Sequence, residues 1–271
     1  MNKTILLTGA TDGIGRQAAQ LFAAQGHSLI VHGRNPDRLA QLAVDLSKVA
    51  GAGSVQTLVC DLSDLKSVDA MAESVLSQTT VLDVVINNAG VLKLPDPTAV
   101  EGYDARFLVN LLAPYHLTRR LLPLMNDTGR VVNLSSAAQH PVDLDGLVNK
   151  SQFSDFEAYA QSKLALTQWS HWQSKRSEPN FIALNPGSLL ATKMVKEGFG
   201  IEGKDLSIGA QVIVEAALSS KFETANGAYF DNDEQRFADP HPDGTNLVKA
   251  ERLVAVLNSM IESLTGQKSP Y

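Results

Sequence analysis

Short apolar runs rich in β-branched residues alternate along the chain with longer segments in which apolar residues recur every three or four positions. The short runs predict buried strands, because a strand covered on both faces has continuous hydrophobic sequence. The predicted strands are Thr4–Leu7, Ser28–His32, Ser54–Cys60, Val81–Ile86, Arg130–Leu134, Phe181–Leu184 and Ala228–Phe230. The longer segments predict helices at Ile14–Ala24, Asp37–Val49, Leu65–Leu76, Val100–Met125 (broken near Pro114), Phe156–Gln173, Ile208–Leu218 and Leu247–Leu264.

The regular alternation of strands and helices indicates an α/β fold. We expect a Rossmann-type, doubly wound, seven-stranded parallel sheet with helices on both faces and right-handed crossovers. In such sheets ligands bind at the carboxyl ends of the strands, so the residues that follow each strand are the candidates for function. We expect one domain over residues 1–271, with substrate loops at about 139–155 and 187–206.

Composition narrows the class of protein further. The chain has 271 residues, enough for one large α/β domain, and its net charge of -6 argues against a nucleic-acid partner. Cys60 is the one cysteine, which excludes an internal disulfide framework and fits a cytoplasmic location. No apolar stretch is long enough to span a membrane, and the first strand begins almost at Met1, so we expect no signal peptide or membrane anchor. The histidines lack metal-ligand spacing, so we expect no metal site.

A glycine-rich turn joins the first strand to the first helix. Its sequence, T-G-A-T-D-G-I-G at 8–15, has the spacing G-x-x-x-G-x-G, whereas the ordinary Rossmann loop is G-x-G-x-x-G. Glycines let the backbone approach a pyrophosphate closely, and the helix N-terminus offers free N–H groups to the anion. The predicted cofactor contacts here are Gly9, Thr11, Asp12, Gly13, Ile14 and Gly15.

The residues after the second strand favour NADP(H) over NAD(H). An NAD site usually has an acidic residue at this point to bind the ribose 2′-hydroxyl, whereas this chain has Arg34 followed by Asn35. A guanidinium can bind a 2′-phosphate with two parallel hydrogen bonds. The alternative is that Arg34 is simply a solvated surface side chain.

Polar and small residues also follow the third and fourth strands. Asp61, next to Leu62, can accept a hydrogen bond from an adenine amino group, or it can cap a helix beginning near Ser63. The fourth strand ends N-N-A-G, which suits close approach of a ribose, although a plain turn has similar residues. The predicted contacts there are Asn88, Ala89 and Gly90.

Tyr159 and Lys163 lie four residues apart on a predicted helix and therefore share one face. A lysine ammonium beside a phenol favours the phenolate, which predicts a lowered tyrosine pKa and proton exchange near neutral pH. Ser136 follows the fifth strand at the same edge of the sheet, and Asn110 is an unfavourable residue inside a helix. These positions predict a hydroxyl that holds a substrate oxygen and a buried polar group that holds a water in a proton path.

Together these motifs resemble the short-chain dehydrogenase/reductase family in its compact form, and the resemblance runs essentially from end to end. It rests on T-G-A-T-D-G-I-G at 8–15, N-N-A-G at 87–90, V-N-L-S-S at 132–136, Y-A-Q-S-K at 159–163 and N-P-G at 185–187. The resemblance implies a catalytic tetrad of Asn110, Ser136, Tyr159 and Lys163, with Ser136 preferred to Ser135. It also implies that Tyr159 and Lys163 bind the cofactor, together with Pro186, Gly187 and Thr192.

A closer similarity is to the retinol-dehydrogenase-like and protochlorophyllide-reductase-like branch. T-A-V-E-G-Y-D-A-R-F-L-V-N at 98–110, N-G-A-Y-F at 226–230 and the helical tail after Asn246 carry it. Two features depart from compact relatives: a long gap between Ser136 and Tyr159, and one additional residue between Gly187 and Thr192. The second departure makes a contact of Thr192 with the nicotinamide less secure.

The resulting hypothesis is an NADP(H)-dependent oxidoreductase that transfers a hydride between nicotinamide and a moderately apolar carbonyl or alcohol. Alternatives are a sugar-nucleotide epimerase or dehydratase, which shares Y-x-x-x-K, and an NADP(H)-sensing regulatory protein on the same fold. In related enzymes the helices that carry Asn110 and Tyr159 often form a dimer seam, which suggests a homodimer or homotetramer. Trp169 and Trp172 would then lie either in the core or against a partner subunit.

Overall fold

The computed structural model describes residues 2–150 and 152–266. Its strands are β1 (Thr4–Leu7), β2 (Ser28–Gly33), β3 (Val55–Val59), β4 (Val84–Asn87), β5 (Arg130–Leu134), β6 (Asn180–Asn185), β7 (Tyr229–Asp231) and β8 (Arg236–Ala238). Its α-helices are α1 (Gly13–Ala24), α2 (Pro36–Ser47), α3 (Leu65–Gln78), α4 (Ala105–Phe107), α5 (Ala113–Leu121), α6 (Leu144–Val148), α7 (Asp155–Gln173), α8 (Lys193–Phe199), α9 (Leu206–Leu218) and α10 (Leu247–Thr265).

The sheet confirms the α/β class and corrects the strand count. Within the described residues it has eight strands in the order β3-β2-β1-β4-β5-β6-β7-β8. The first seven strands pair in parallel, whereas β8 pairs antiparallel with β7 through Phe230 and Phe237. The prediction of seven strands missed β8 because its residues are exposed or half-buried and form no buried apolar run, unlike those of the equally short β7.

Alternate residues of the central strands enter two separate cores, one on each face of the sheet. Ile5 and Leu7 of β1 contact the core formed with α1, α2 and α9, while Leu6 contacts the core formed with α3, α5, α7 and α10. Each strand is therefore buried on both faces, which explains its continuous apolar sequence. The chain order reverses between β1 and β4, so the crevice that binds ligands in this architecture opens at the carboxyl ends of these two strands.

The predicted long helix over 100–125 is divided into several pieces. A 3₁₀ turn at Val100–Gly102 precedes α4, a π-helical turn occupies Leu108–Leu112, and α5 begins at Ala113. Pro114, whose nitrogen cannot donate a hydrogen bond, is the second residue after the π-helical turn, where the hydrogen-bond pattern of the helix changes. Asn110 is at the centre of the π-helical turn, a feature that is frequent at functional sites.

The two predicted substrate loops each contain a short helix. The segment 139–155 includes α6, whose N-cap Asp143 accepts from the Gly146 N–H at 2.8 Å. The segment 187–206 includes α8, which ends at Gly200 in the left-handed conformation (φ 69°). Both segments extend from the carboxyl edge of the sheet, from β5 and β6 respectively.

Helix α7 is buried because α10 covers it within the same chain. Residues 160–170 of α7 are all buried. Trp169 is fully buried and packs edge-on against Tyr115 and Phe181, and Trp172 is 8% exposed. The two tryptophans therefore pack inside the chain, and the middle of α7 offers no apolar face to a partner subunit. Within the described part of the chain, no helix combines the length and apolarity that a membrane crossing requires.

Candidate active site

Thr8 and Asn88 join the carboxyl ends of β1 and β4. The Thr8 Oγ1 accepts hydrogen bonds from the main-chain N–H groups of Asn88 (3.0 Å) and Ala89 (3.1 Å). The Asn88 Nδ2 donates to the carbonyls of Thr8 (2.8 Å) and Gly9 (3.1 Å). Asn88 and Ala89 are thus brought against the glycine loop as predicted, whereas Thr8 is a site residue that the sequence reasoning missed.

The loop glycines are required by close contacts and by backbone conformation. Gly9 and Gly13 have φ values of 66° and 53°, which favour glycine. A Cβ on Gly9 would lie 2.9 Å from the Ala89 Cα, and a Cβ on Gly15 would lie 2.4 Å from both the Asn88 Nδ2 and the Gly9 carbonyl oxygen. The backbone can therefore pack this tightly only without side chains at these positions.

The remaining loop residues have structural contacts of their own. The methyl group of Thr11 lies 2.5 Å from the point that a Cβ on Gly33 would occupy, so the loop packs directly on the end of β2. Asp12 caps α1 by accepting from the Gly13 N–H at 2.7 Å. Ile14 packs against the core beside α9.

His32, a second residue that sequence reasoning missed, fixes the start of the glycine loop. Its Nδ1 accepts from the Gly9 N–H at 3.2 Å, and its Nε2 lies 3.0 Å from the Cys60 carbonyl oxygen. Because a carbonyl only accepts, the Nε2 carries the proton and the ring is neutral. Burial lowers the pKa of His32, in agreement with this neutral form. The signal available in the sequence was a polar residue at the end of a buried strand.

Arg34 is exposed and directly follows Gly33, the last residue of β2, which packs on Thr11 of the glycine loop. Asn35 caps α2 by accepting from the Arg38 N–H at 2.9 Å, which gives Asn35 a structural role. The Arg38 Nη1 lies 3.6 Å from the Asp12 Oδ2, and both side chains are exposed. Arg34 and Asn35 thus directly follow β2, and neither position has a carboxylate.

Asp61 and Leu62 lie at the end of β3, with different environments. The Asp61 Oδ1 accepts from the N–H (2.9 Å) and the hydroxyl (2.7 Å) of Ser63. Asp61 does not cap α3, because that helix begins at Leu65 with Asp64 as its cap. Leu62 is 3% exposed, so its side chain belongs to the core.

The structure distinguishes Ser136 from its neighbour Ser135. The Ser135 hydroxyl is buried against α7, at 2.7 Å from the Thr167 Oγ1 and 3.2 Å from the Lys163 carbonyl oxygen. Ser136 is only partly buried, and its side chain interacts with the Tyr159 phenol in the sense that lowers the phenol pKa. Its Oγ also accepts from the Ala138 N–H at 3.1 Å. Ser136 is therefore the serine that the fold presents to Tyr159.

Tyr159 and Lys163 lie on one face of α7, and the Lys163 Nζ is 5.5 Å from the Tyr159 ring centroid. The Nζ donates to the Leu134 carbonyl at 2.6 Å, and burial lowers the pKa of Lys163 to about 8. The pKa of Tyr159 is raised, because burial outweighs the opposing interaction with the Ser136 side chain. The predicted lowering by Lys163 is thus not found: desolvation of the phenol dominates.

Asn110 is 1% exposed and holds the turn after β4. Its Nδ2 donates to the Val91 carbonyl (2.9 Å) and to the Ser162 Oγ (3.0 Å), and its Oδ1 accepts from the Val91 N–H (2.8 Å). A Cβ on Gly90 would lie 3.4 Å from both the Asn110 Oδ1 and the Lys163 Nζ. The four residues of the predicted tetrad and Gly90 are therefore gathered at one edge of the sheet.

The segment after β6 closes the other side of this edge. Asn232 donates to the Pro186 carbonyl at 3.0 Å, and Gly187 has a φ of 115°. Thr192 caps α8 through the Val195 N–H (3.2 Å), and its methyl group lies 3.5 Å from the point that a Cβ on Gly13 would occupy. The additional residue is accommodated with Leu189 at a φ of 57°, and Thr192 still reaches the glycine loop.

Comparison with known proteins identifies the family. The family model described as short chain dehydrogenase matches residues 3–199. This chain belongs to the short chain dehydrogenase family. Human retinol dehydrogenase 13 is 30% identical, over 93% of this chain and 82% of that protein, and human polyprenol dehydrogenase is 29% identical, over 86% and 78%.

Solved structures of similar chains agree in fold. A crystal structure of a Mycobacterium paratuberculosis protein covers 99% of this chain and 95% of its own, with a TM-score of 0.79 and 26% identity. A short chain dehydrogenase from Shigella flexneri, complexed with NADP, covers 86% of this chain and 98% of its own, with a TM-score of 0.65 and 25% identity. These results confirm an oxidoreductase of the short chain dehydrogenase family, in its retinol-dehydrogenase-like branch.

Proposed function

We propose that this short chain dehydrogenase is a cytoplasmic, NADP(H)-dependent enzyme that interconverts a carbonyl compound and its alcohol. The observation that carries the proposal is the position of Tyr159 5.5 Å from the buried Lys163 Nζ, with the Ser136 side chain interacting with the phenol, at the edge of the sheet where the glycine loop begins. A proton-transferring phenol and a dinucleotide cradle are the two parts that hydride transfer to a carbonyl requires.

The residues of the crevice fit a dinucleotide phosphate. The backbone has no side chain at Gly9, just before α1, or at Gly13 and Gly15 in its first turn, and the N-terminus of this helix attracts an anion. Arg34 is exposed after β2 and fits a 2′-phosphate, as the sequence predicts. The NADP found with the Shigella flexneri relative supports the same choice. When bound, NADP(H) supplies or accepts the hydride at the nicotinamide.

Tyr159 is the proposed general acid and base. Because burial keeps the phenol protonated, it is ready to donate a proton to the oxygen of a reduced carbonyl. Ser136 holds that oxygen beside the phenol. A Lys163 with its pKa at about 8 is mostly charged at neutral pH, so it favours the phenolate that remains. Lys163 also lies next to Gly90, in position to bind the nicotinamide ribose.

We assign Asn110 to holding the backbone of the site. Its side chain makes three hydrogen bonds within the protein, two of them to Val91. The turn that carries Gly90 is thereby fixed against Lys163. This role differs from the predicted water relay, since the side-chain amide is already engaged by protein groups.

The substrate class that fits best is an apolar carbonyl or alcohol. Phe156 is 53% exposed and lies one turn before Tyr159 on α7, on the same face. Leu189 and Phe199 are 40% and 49% exposed on the segment that contains α8. Retinol and polyprenol, the alcohols in the names of two relatives, are of this apolar class.

The test measures consumption of NADPH by the purified chain with a panel of apolar ketones and aldehydes. Tyr159→Phe removes only the phenolic hydroxyl, so turnover should be lost while the dissociation constant of NADPH stays unchanged. Tyr115→Phe is the matched control, because this buried tyrosine bonds to Asn258 away from the site. Turnover that survives in Tyr159→Phe would exclude this general acid.

A further inference from the structure

The main-chain carbonyl of Ser136 accepts two side-chain hydrogen bonds. Gln139 donates from its Nε2 at 3.0 Å, and Tyr229 donates from its hydroxyl at 3.2 Å. The first donor lies three residues along the same turn, and the second comes from β7, 93 positions further along the chain. The peptide that follows the catalytic serine is therefore held from two independent directions.

The environment of Tyr229 keeps its hydroxyl protonated, so that it can donate a hydrogen bond to the Ser136 carbonyl. Tyr229 is 6% exposed at the start of β7, and burial raises the pKa of its phenol, with Asp231 adding to the effect. The hydroxyl thus stays protonated across the working pH range of an enzyme. Tyr229 belongs to the N-G-A-Y-F motif, to which the dinucleotide site and the tetrad give no role.

Gln139 connects the same carbonyl to the segment before α10. Its Oε1 accepts from the His241 N–H at 2.9 Å, while its Nε2 bonds to Ser136. The Gln168 side chain of α7 donates to the Asp243 carbonyl at 3.1 Å, so this segment is itself fixed to the catalytic helix. One amide side chain therefore spans the gap between the serine turn and an anchored part of the fold.

We propose that Tyr229 and Gln139 are positioning residues, which hold the Ser136 peptide so that the Ser136 hydroxyl stays beside the Tyr159 phenol. The inference rests on the proposed function of this site. The Ser136 carbonyl carbon and the Ser136 Cβ are bonded to the same Cα. A shift of this peptide would therefore move the Cα, and with it the Oγ, relative to Tyr159. The Ala138 N–H occupies one acceptor site of that Oγ, which leaves its hydrogen for the phenol or the substrate oxygen.

Tyr229→Phe tests the long-range donor, with Tyr115→Phe as the matched loss of a buried hydroxyl. We expect kcat to fall roughly 10-fold in Tyr229→Phe, because small displacements of catalytic groups have large kinetic effects. The KM and the dissociation constant of NADPH should stay near those of the unsubstituted chain, and Tyr115→Phe should keep its kcat. An unchanged kcat in Tyr229→Phe, or an equal loss in both variants, would overturn the proposal.

Gln139→Glu separates positioning from mere anchoring. The carboxylate still accepts from the His241 N–H, but it cannot donate to the Ser136 carbonyl. If Gln139 only anchors the segment before α10, Gln139→Glu keeps its kcat and Gln139→Leu loses stability. Our proposal expects Gln139→Glu to lose kcat by roughly 10-fold with a melting temperature near that of the unsubstituted chain.

A measurement that requires no turnover tests the positioning role independently of the proposed function. The ring-carbon Cζ chemical shift of ¹³C-labelled Tyr159, assigned with Tyr159→Phe, reports the environment of the phenol, including its interaction with Ser136. It should move in Gln139→Glu and stay in place in Tyr115→Phe. If no carbonyl is reduced but the shift moves, the proposed function fails and the positioning stands. A shift that stays fixed in Gln139→Glu would overturn the positioning.

Discussion

Replacing Arg34 by Gln tests the cofactor preference at a single side chain. Arg34 is exposed at the end of β2 and directly follows Gly33, which packs against Thr11 of the glycine loop. Glutamine keeps most of the length and polarity of the side chain but removes its charge. Because NADH lacks the 2′-phosphate, the substitution should weaken binding of NADPH and leave binding of NADH unchanged.

The expected size of the effect follows from the exposure of the site. A hydrogen bond to a charged group contributes about 1.5–3 kcal/mol, whereas an exposed ion pair contributes about 0–1 kcal/mol. A guanidinium bound to a phosphate through two hydrogen bonds at an exposed position lies near the boundary of these ranges. We therefore expect a loss of about 1.4 kcal/mol, which is about a 10-fold increase in the dissociation constant of NADPH.

Equilibrium titration of NADPH and NADH, followed by nicotinamide fluorescence at low ionic strength, measures both constants. Arg38→Gln is the control, since Arg38 already pairs with Asp12 at 3.6 Å and both side chains are exposed. Its effect should stay below about 5-fold. An unchanged ratio of NADPH to NADH affinity in Arg34→Gln would refute the assignment, as would an equal change in Arg38→Gln.

Four further substitutions test the rest of the site, and one of them, His32→Asn, is followed over a series of pH values. In Gly15→Ala, the new Cβ would lie 2.4 Å from the Asn88 Nδ2. We therefore expect the free energy of unfolding, measured with urea, to fall by about 1–3 kcal/mol and NADPH to bind more weakly. If both quantities stay unchanged, the packing argument is contradicted. Because burial lowers the pKa of His32 from 6.5 in the folded state, the unfolded chain binds more protons below this pH. The free energy of unfolding should therefore fall as the pH drops below 6.5, and His32→Asn should show a smaller fall. The same pH dependence in both proteins would contradict the assignment of this effect to His32. Ser136→Ala should lower kcat by about 100-fold, whereas Ser135→Ala should lower the melting temperature and leave kcat near its original value; the reverse result would exchange their roles.

The sequence predicted the parallel core of the sheet and its seven strands to within a few residues. These elements are buried on both faces, so their apolar runs are long and end in recognisable turns. The proximity of Tyr159 and Lys163 was also predictable, because residues four apart on a helix share one face. The choice of Ser136 over Ser135 came from the family resemblance, and the contact of Ser135 with Thr167 supplies its physical reason.

The features that sequence reasoning missed depend on contacts between distant segments. Strand β8 exists through its pairing with β7, and the π-helical turn at Leu108–Leu112 has no periodicity of its own. Thr8 and Tyr229 act through hydrogen bonds to segments about 80 and 93 positions away, respectively. The pKa of Tyr159 was predicted with the wrong sign, because the desolvation of its phenol depends on the complete fold.

The cover that α10 places over α7 has a consequence for synthesis of the protein. Translation produces α7 and its buried residues 160–170 well before Leu247–Thr265, the helix that packs against them. Until α10 has left the ribosome, an apolar face next to Trp169 remains open to water and to other nascent chains. We therefore expect an aggregation-prone intermediate during synthesis, and removal of α10 should shift the product from the supernatant into the insoluble fraction.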